Sequence, residues 1–175
     1  MAAAAINLAV QMLEVDEGCE LEAYPDPESQ LGKACAAARL PMRDYRQIDG
    51  WEAMDANPWT IGCGQTGDGI RSGVTWTHDQ ADAALTAAVT TIDARLSGSL
   101  VDYAPLNAVR QAVLIDIAYN VGIKGLLAFH RMLGYLAQGN MSGAASELLD
   151  SDAARMLPTR YQRLADRLRS GAMAT

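Results

Sequence analysis

Aromatic side chains are scarce in this 175-residue chain: they make up 6% of it, with a single phenylalanine, although half of the residues are hydrophobic. A core with so few rings is filled mainly by Ala, Leu, Val, Ile and Met, a composition suited to helix packed on helix. Basic charge is also short, since 14 Lys and Arg face 21 Asp and Glu for a net charge of −7. That argues against a nucleic-acid-binding role, which needs a positive surface. Histidine occurs only as His78 and His130, far apart and without a Cys or Asp cluster at ligand spacing, so neither a metal nor another cofactor is called for. The apolar N-terminal stretch lacks the basic start of a secretory signal, is interrupted by Asn7 and Gln11, and falls short of the about 20 residues of a membrane span. Ile6, Val10 and Leu13 recur there at helical spacing. The expectation is an ordinary first helix, with no export by this segment and no stable membrane insertion.

What the chain does have is a pair of carboxylates in an unusual setting. Glu17 closes the apolar helical segment and is followed by Gly18, a residue that ends helices in a left-handed conformation. Asp26 lies between Pro25 and Pro27, which fix the backbone on both sides and disfavour helix. One carboxylic acid that protonates a leaving oxygen, beside one carboxylate that activates water or attacks the sugar, is the minimum apparatus for cleaving a glycosidic bond. Composition alone favours the bland reading, because seventeen acids precede Arg131 and most such pairs are solvated surface.

Periodicity places these residues in a mostly helical α+β fold. The first helix is expected over Ala3 to Val15. From Leu21 to Gly73 prolines and glycines are dense, and Trp59-Thr60-Ile61 reads as a strand of a small sheet. Gly62 to Gly67 satisfies a dinucleotide-binding spacing, but the next residues, Asp68 to Gly73, are too glycine-rich to open a helix, so these glycines are read as hairpin turns. Thr77 to Gln80 forms a capping box ahead of a long helix carrying Ala81, Leu85, Val89, Ile92 and Leu96. Pro105 is expected in the first turn of a central, buried helix that Gly122 ends. Shorter helices are expected over His130 to Ala137, Ser142 to Leu149 with Ser142 as N-cap, and Thr159 to Leu168. The expected organisation is one domain, with a β-containing lobe over 16–76 and a helical lobe over 1–15 and 77–175.

Several separated motifs then occur in a familiar order: Glu17-Gly18, Leu21-x-Ala23-Tyr24-x-Asp26-Pro27, Trp59-Thr60-Ile61-Gly62-x-Gly64, Ile117-Ala118-Tyr119-Asn120-Val121-Gly122 and Leu157-Pro158-Thr159-Arg160. Together they resemble the phage-type lysozymes, an endolysin muramidase family of glycoside hydrolases. The resemblance implies a lysozyme-like fold with a cleft between two lobes and peptidoglycan as the partner. It further implies a monomer held in the host cytoplasm until release and then acting on the wall in the periplasm. It makes Glu17 the general acid, Asp26 the carboxylate that directs the attacking water, and Thr60 the hydroxyl that holds that water. Asn120 becomes a sugar-contacting residue, and Arg160 an arginine that pairs with the catalytic glutamate and orients it. The competing readings are a β-propensity choice for Thr60, a helix C-terminal residue for Asn120 and a solvated basic face for Arg160.

Two features sit uneasily with the family. The wall is anionic and so is this chain, although Arg160, Arg163, Arg167 and Arg169 cluster and leave room for a local positive patch. Salt should therefore affect activity less than in a strongly basic lysozyme. The second is the stretch from Pro27 to Trp59, which separates Asp26 from Thr60 where the family has only a few residues. It is either a surface loop or a wall of the cleft that contacts sugar through Tyr45, Trp51, Arg43 or Arg46, with short helices over Lys33 to Leu40 and Gly50 to Asp55. Cys19, Cys35 and Cys63 are an odd set, and reduced, buried thiols are the default, with a bridge near the candidate site as the alternative. A binder that keeps the fold without turnover, or a tail-associated lysozyme, is the competing functional class.

Overall fold

The N-terminal alanine-rich segment is helical, as expected: α1 (Ala2–Glu17) buries Ala5, Ala9, Met12 and Leu13 along one stripe. The computed structural model describes residues 2–173. Internal contacts divide the chain into two units, Glu17–Leu85 and Met1–Asp16 with Thr86–Thr175.

The smaller unit is built on a three-stranded antiparallel sheet of β1 (Glu20–Pro25), β2 (Trp59–Gly62) and β3 (Gln65–Thr66), in that spatial order. The glycines of the spurious dinucleotide motif make the β2–β3 hairpin, with Gly62 and Gly64 at positive φ. Between β1 and β2 the long insertion folds into α2 (Gln30–Ala37) and two 3-10 turns, Met42–Gln47 and Trp51–Ala53. It is no loose surface loop. Leu31, Cys35, Tyr45 and Ala56 from the insertion pack with Ala23, Trp59 and Ile61 of the sheet into one buried cluster. Tyr45, fully buried, meets Trp51 and Trp59 edge-on with ring centroids 5.1 Å away in both cases. It is a core residue of this unit and offers no surface to a sugar.

The larger unit is helical, and the chain enters it along a helix that starts within the smaller unit. The expected capping box closes, with Thr77 N donating to Gln80 Oε1 (2.8 Å) and Gln80 N to Thr77 Oγ1 (3.2 Å), and α3 (His78–Ser99) begins there. Pro105 falls two residues before the N-cap of α4 (Ala108–Leu127), because the side chain of Asn107 accepts from Arg110 N and starts the helix there. Gly122, at φ +78° and ψ 160°, breaks α4 rather than ending it. After α5 (His130–Ala137), α6 (Met141–Leu149) is capped by Asn140, which accepts from Gly143 N at 2.9 Å, and not by Ser142. A short α7 (Asp152–Met156), which no sequence pattern predicts, is capped by Ser151 and leads into α8 (Pro158–Ser170). Arg110 donates to the Leu168 and Arg169 carbonyls and Asn107 to that of Gly171, satisfying the last turn of α8. Among the described residues no single helix is long and apolar enough to cross a membrane.

Two tyrosines in this unit bear on stability. Burial, then the 2.5 Å hydrogen bond to Asp93, push the Tyr103 hydroxyl far above its ordinary value, and burial pushes that of Tyr161 up to about 12. As pH rises past 10.0, the unfolded chain sheds these protons while the folded chain keeps them, so folding stability falls; the share of Tyr161 in that fall ends once it ionises in place, and the share of Tyr103 continues. Urea midpoints at about pH 9 and about pH 11.5 should differ accordingly, and a Tyr161→Phe variant should lose less than the parent protein. Equal midpoints at the two pH values would contradict this.

Candidate active site

Glu17 is the last residue of α1, and Gly18, at φ +65°, turns the chain out of the helix into β1. The carboxylate is exposed at the surface. At the other end of β1, Asp26 follows Pro25 directly. The strand pairing brings the third candidate alongside, since Thr60 lies opposite Tyr24 and Trp59 opposite Pro25. Thr60 is 8% exposed. A strand run from Glu20 to Tyr24 at full extension would cover about 14 Å, but these residues face only Gly62 to Thr60, about 7 Å of β2. The irregularity in β1 thus draws Glu17 and Asp26 closer than nine fully extended residues would allow. The phenol of Tyr24 senses this convergence: burial raises its pKa first, and the charges of Glu20, Glu17 and Asp26 raise it further.

Asp26 is held in place at three points. Its N–H is shared between the carbonyls of Ala56 (3.3 Å) and Pro58 (3.1 Å), and its own carbonyl accepts from Ser29 N (3.0 Å) and Ser29 Oγ (2.6 Å). Its Oδ1 accepts from Glu28 N at 2.7 Å, an Asx turn that fixes the carboxylate plane, and among the described residues no donor is bonded to Oδ2. One oxygen anchors the group and the other is available to a water.

The cysteines correct the default expectation. Cys19 and Cys63 are joined in a disulfide with Cα atoms 4.4 Å apart, beside the Glu20–Gly62 pair, and only Cys35 is a free, buried thiol. The pairing follows from register: Cys19 precedes Glu20 and Cys63 follows Gly62, and these two neighbours lie opposite each other across the sheet. The bridge bolts the chain two residues past Glu17 to the strand carrying Thr60. At a sequence separation of 44, chain entropy assigns it about 4 kcal/mol of stability. The Cys19→Ala, Cys63→Ala double variant should lose most of that in urea denaturation and be insensitive to reductant. A parent protein whose midpoint does not move under reductant would contradict it.

The remaining candidates belong to the helical unit. Asn120 is exposed and accepts a 2.8 Å hydrogen bond from the Tyr161 hydroxyl, two residues before the break at Gly122. Arg160 is 7% exposed and is no part of a solvated face. Its Nε and Nη2 donate to Asp116 Oδ1 at 3.0 and 2.9 Å, and its Nε lies 3.7 Å from Asp16 Oδ2. Arg163 also binds Asp16, and Arg169 pairs with Asp166, so three of the four clustered arginines meet acids and the positive patch is largely neutralised. Asp16 and Asp116, whose side chains are nearly and fully buried, are residues to which the sequence alone assigns no role. An open groove of about 600 Å³ in the same unit, lined by Val121, Phe129, Arg131, Glu147, Asp150 and Arg155, contains none of the candidate acid–base residues. The described residues include no group of three His, Cys, Asp or Glu side chains arranged to hold a metal.

Comparison with family models matches the phage lysozyme family over residues 43–167, well over half of the chain. Comparison with curated proteins finds no match. The matched region includes Thr60, Asn120 and Arg160, while Glu17 and Asp26 lie ahead of it.

Proposed function

The chain belongs to the phage lysozyme family, whose members are glycosidases acting on peptidoglycan, and on that premise we propose that it is an endolysin muramidase. It hydrolyses the β-1,4 bond between N-acetylmuramic acid and N-acetylglucosamine and so opens the host wall. Glu17 gives its proton to the bridging oxygen as that bond breaks. Asp26, through Oδ2, takes a proton from the water that attacks the anomeric carbon, and the Thr60 hydroxyl holds that water. Asn120 contacts the sugar, and Arg160 orients the acid.

The observation that carries this reading is the register of β1 on β2, which sets Thr60 opposite Tyr24, two residues from Asp26, while the Cys19–Cys63 bridge ties in the segment after Glu17. The bridge also fits the proposed location, because a disulfide persists in an oxidising compartment such as the periplasm, where the enzyme acts after release from the host cytoplasm. The chain works alone, as one lysozyme-like domain. A turbidity assay on outer-membrane-permeabilised cells tests the proposal. An enzyme clears the suspension, whereas protein that sediments with the wall and leaves turbidity unchanged would be a binder that has lost turnover.

A further inference from the structure

The insertion between Asp26 and Thr60 touches Asp26 from both of its ends. At its start, Ser29 Oγ donates to the Asp26 carbonyl and in turn accepts from Gly32 N at 3.0 Å, capping α2. Ser29 is itself buried. At its finish, the carbonyls of Ala56 and Pro58 share the Asp26 N–H. The two ends are stapled to each other, with Leu31 N donating to the Asp55 carbonyl at 2.9 Å and Asp55 N to Gln30 Oε1 at 3.3 Å. The first turn of α2 is pressed onto the Asp26–Pro27 peptide so closely that only glycine fits at position 32. A Cβ there would overlap the Asp26 carbonyl oxygen and lie 2.8 Å from Pro27 Cα and 2.9 Å from Asp26 C. Behind this contact, Leu31 and Cys35 anchor α2 in the buried cluster.

We propose that the insertion is a brace that positions the water-directing carboxylate, with Ser29 and Gly32 as positioning residues for Asp26. The inference rests on the assignment of Asp26 as the base. It assigns the extra residues to catalysis through backbone placement, where a loop or a sugar-binding wall would act otherwise. The hydrogen bonds to Asp26 N and O set where its Cα sits, and the Asx turn to Glu28 sets the carboxylate on that foundation. An added methyl at Gly32 must push the Asp26 peptide away. Misplacement of a reacting group by about 1 Å lowers turnover by up to about 10²-fold without weakening ground-state binding.

The test is a kinetic cycle on solubilised peptidoglycan. Gly32→Ala is expected to lower kcat about tenfold or more with KM within about twofold. In an Asp26→Ala background the same change is expected to leave kcat within about twofold, because the group it displaces is gone. Ala37→Gly, in the exposed last turn of α2, weakens the helix without touching Asp26 and should leave kcat unchanged. Should Gly32→Ala fail to fold, Ser29→Ala takes its place, with a several-fold loss of kcat expected and recovery in Ser29→Thr. A folded Gly32→Ala or Ser29→Ala enzyme with parental kcat, or an equal loss in the Asp26→Ala background, would overturn the brace. Full activity in Asp26→Ala alone would instead remove Asp26 as the base, a separate failure visible in its own arm of the cycle.

Discussion

Glu17→Gln is expected to remove wall lysis while leaving the protein folded. Glutamine keeps the size and hydrogen-bonding reach of the side chain but has no proton to give to a glycosidic oxygen. General acid catalysis is worth about 10²–10⁴-fold, and turnover on purified wall should fall by that much. The fold should tolerate the change for three reasons. Glu17 is exposed at the end of α1, the next turn depends on Gly18 at φ +65°, and the Cys19–Cys63 bridge holds the segment whichever side chain precedes it. Exposed substitutions of this kind shift stability by about 0.5 kcal/mol or less. Parental lysis by the variant would eliminate Glu17 as the acid.

Arg160→Met is expected to have the largest effect on stability. Asp116 is fully buried in α4 and the side chain of Asp16 is 2% exposed, and the Arg160 guanidinium lies against both. Removing one partner of a buried pair strands a charge in the interior, at about 3–5 kcal/mol. Asp16 keeps Arg163 in this variant. Replacing both members, as in Arg160→Met with Asp116→Leu, should recover most of it, because an apolar pair of similar volume needs no charge compensation. Urea denaturation of the two single variants and the double variant gives the coupling energy directly. A loss below about 1 kcal/mol in Arg160→Met would mean that the pair is not a stabilising buried interaction. If Arg160 also orients Glu17, the variant should lose turnover under conditions where it remains fully folded.

The helical part of the chain was largely readable because its signals are local. Thr77 and Gln80 cap a helix through neighbours three residues apart, and Ala81, Leu85 and Val89 repeat at a period set by a single helix. The errors there are also local. Pro105 is permitted in a first turn, but Asn107 offers a better cap, and Asn140 displaces Ser142 for the same reason. Glu17, Asp26 and Thr60 stood out through motif order. That Asp26, just past the end of β1, comes beside Thr60 of β2 depends on a register and an irregularity between residues distant in sequence, which no local pattern encodes. The Cys19–Cys63 bridge depends on the same register, so an odd cysteine count pointed the wrong way. Asp116 carried a usable signal, a lone carboxylate inside the apolar run Val113 to Ala118, which calls for a buried cation. The insertion was hardest to read. Leu31, Cys35 and Tyr45 show no clear periodicity, because they meet the sheet from two short helical pieces joined by turns.

The most direct test of the whole account is the chemistry of the ends that the protein creates in purified peptidoglycan. After digestion and borohydride reduction, a muramidase leaves muramitol, because water has added at C1 of N-acetylmuramic acid, and the yield should rise with time for the parent protein and stay at background for Glu17→Gln. Glucosaminitol, an anhydro-muramyl product, or no new ends at all would contradict it.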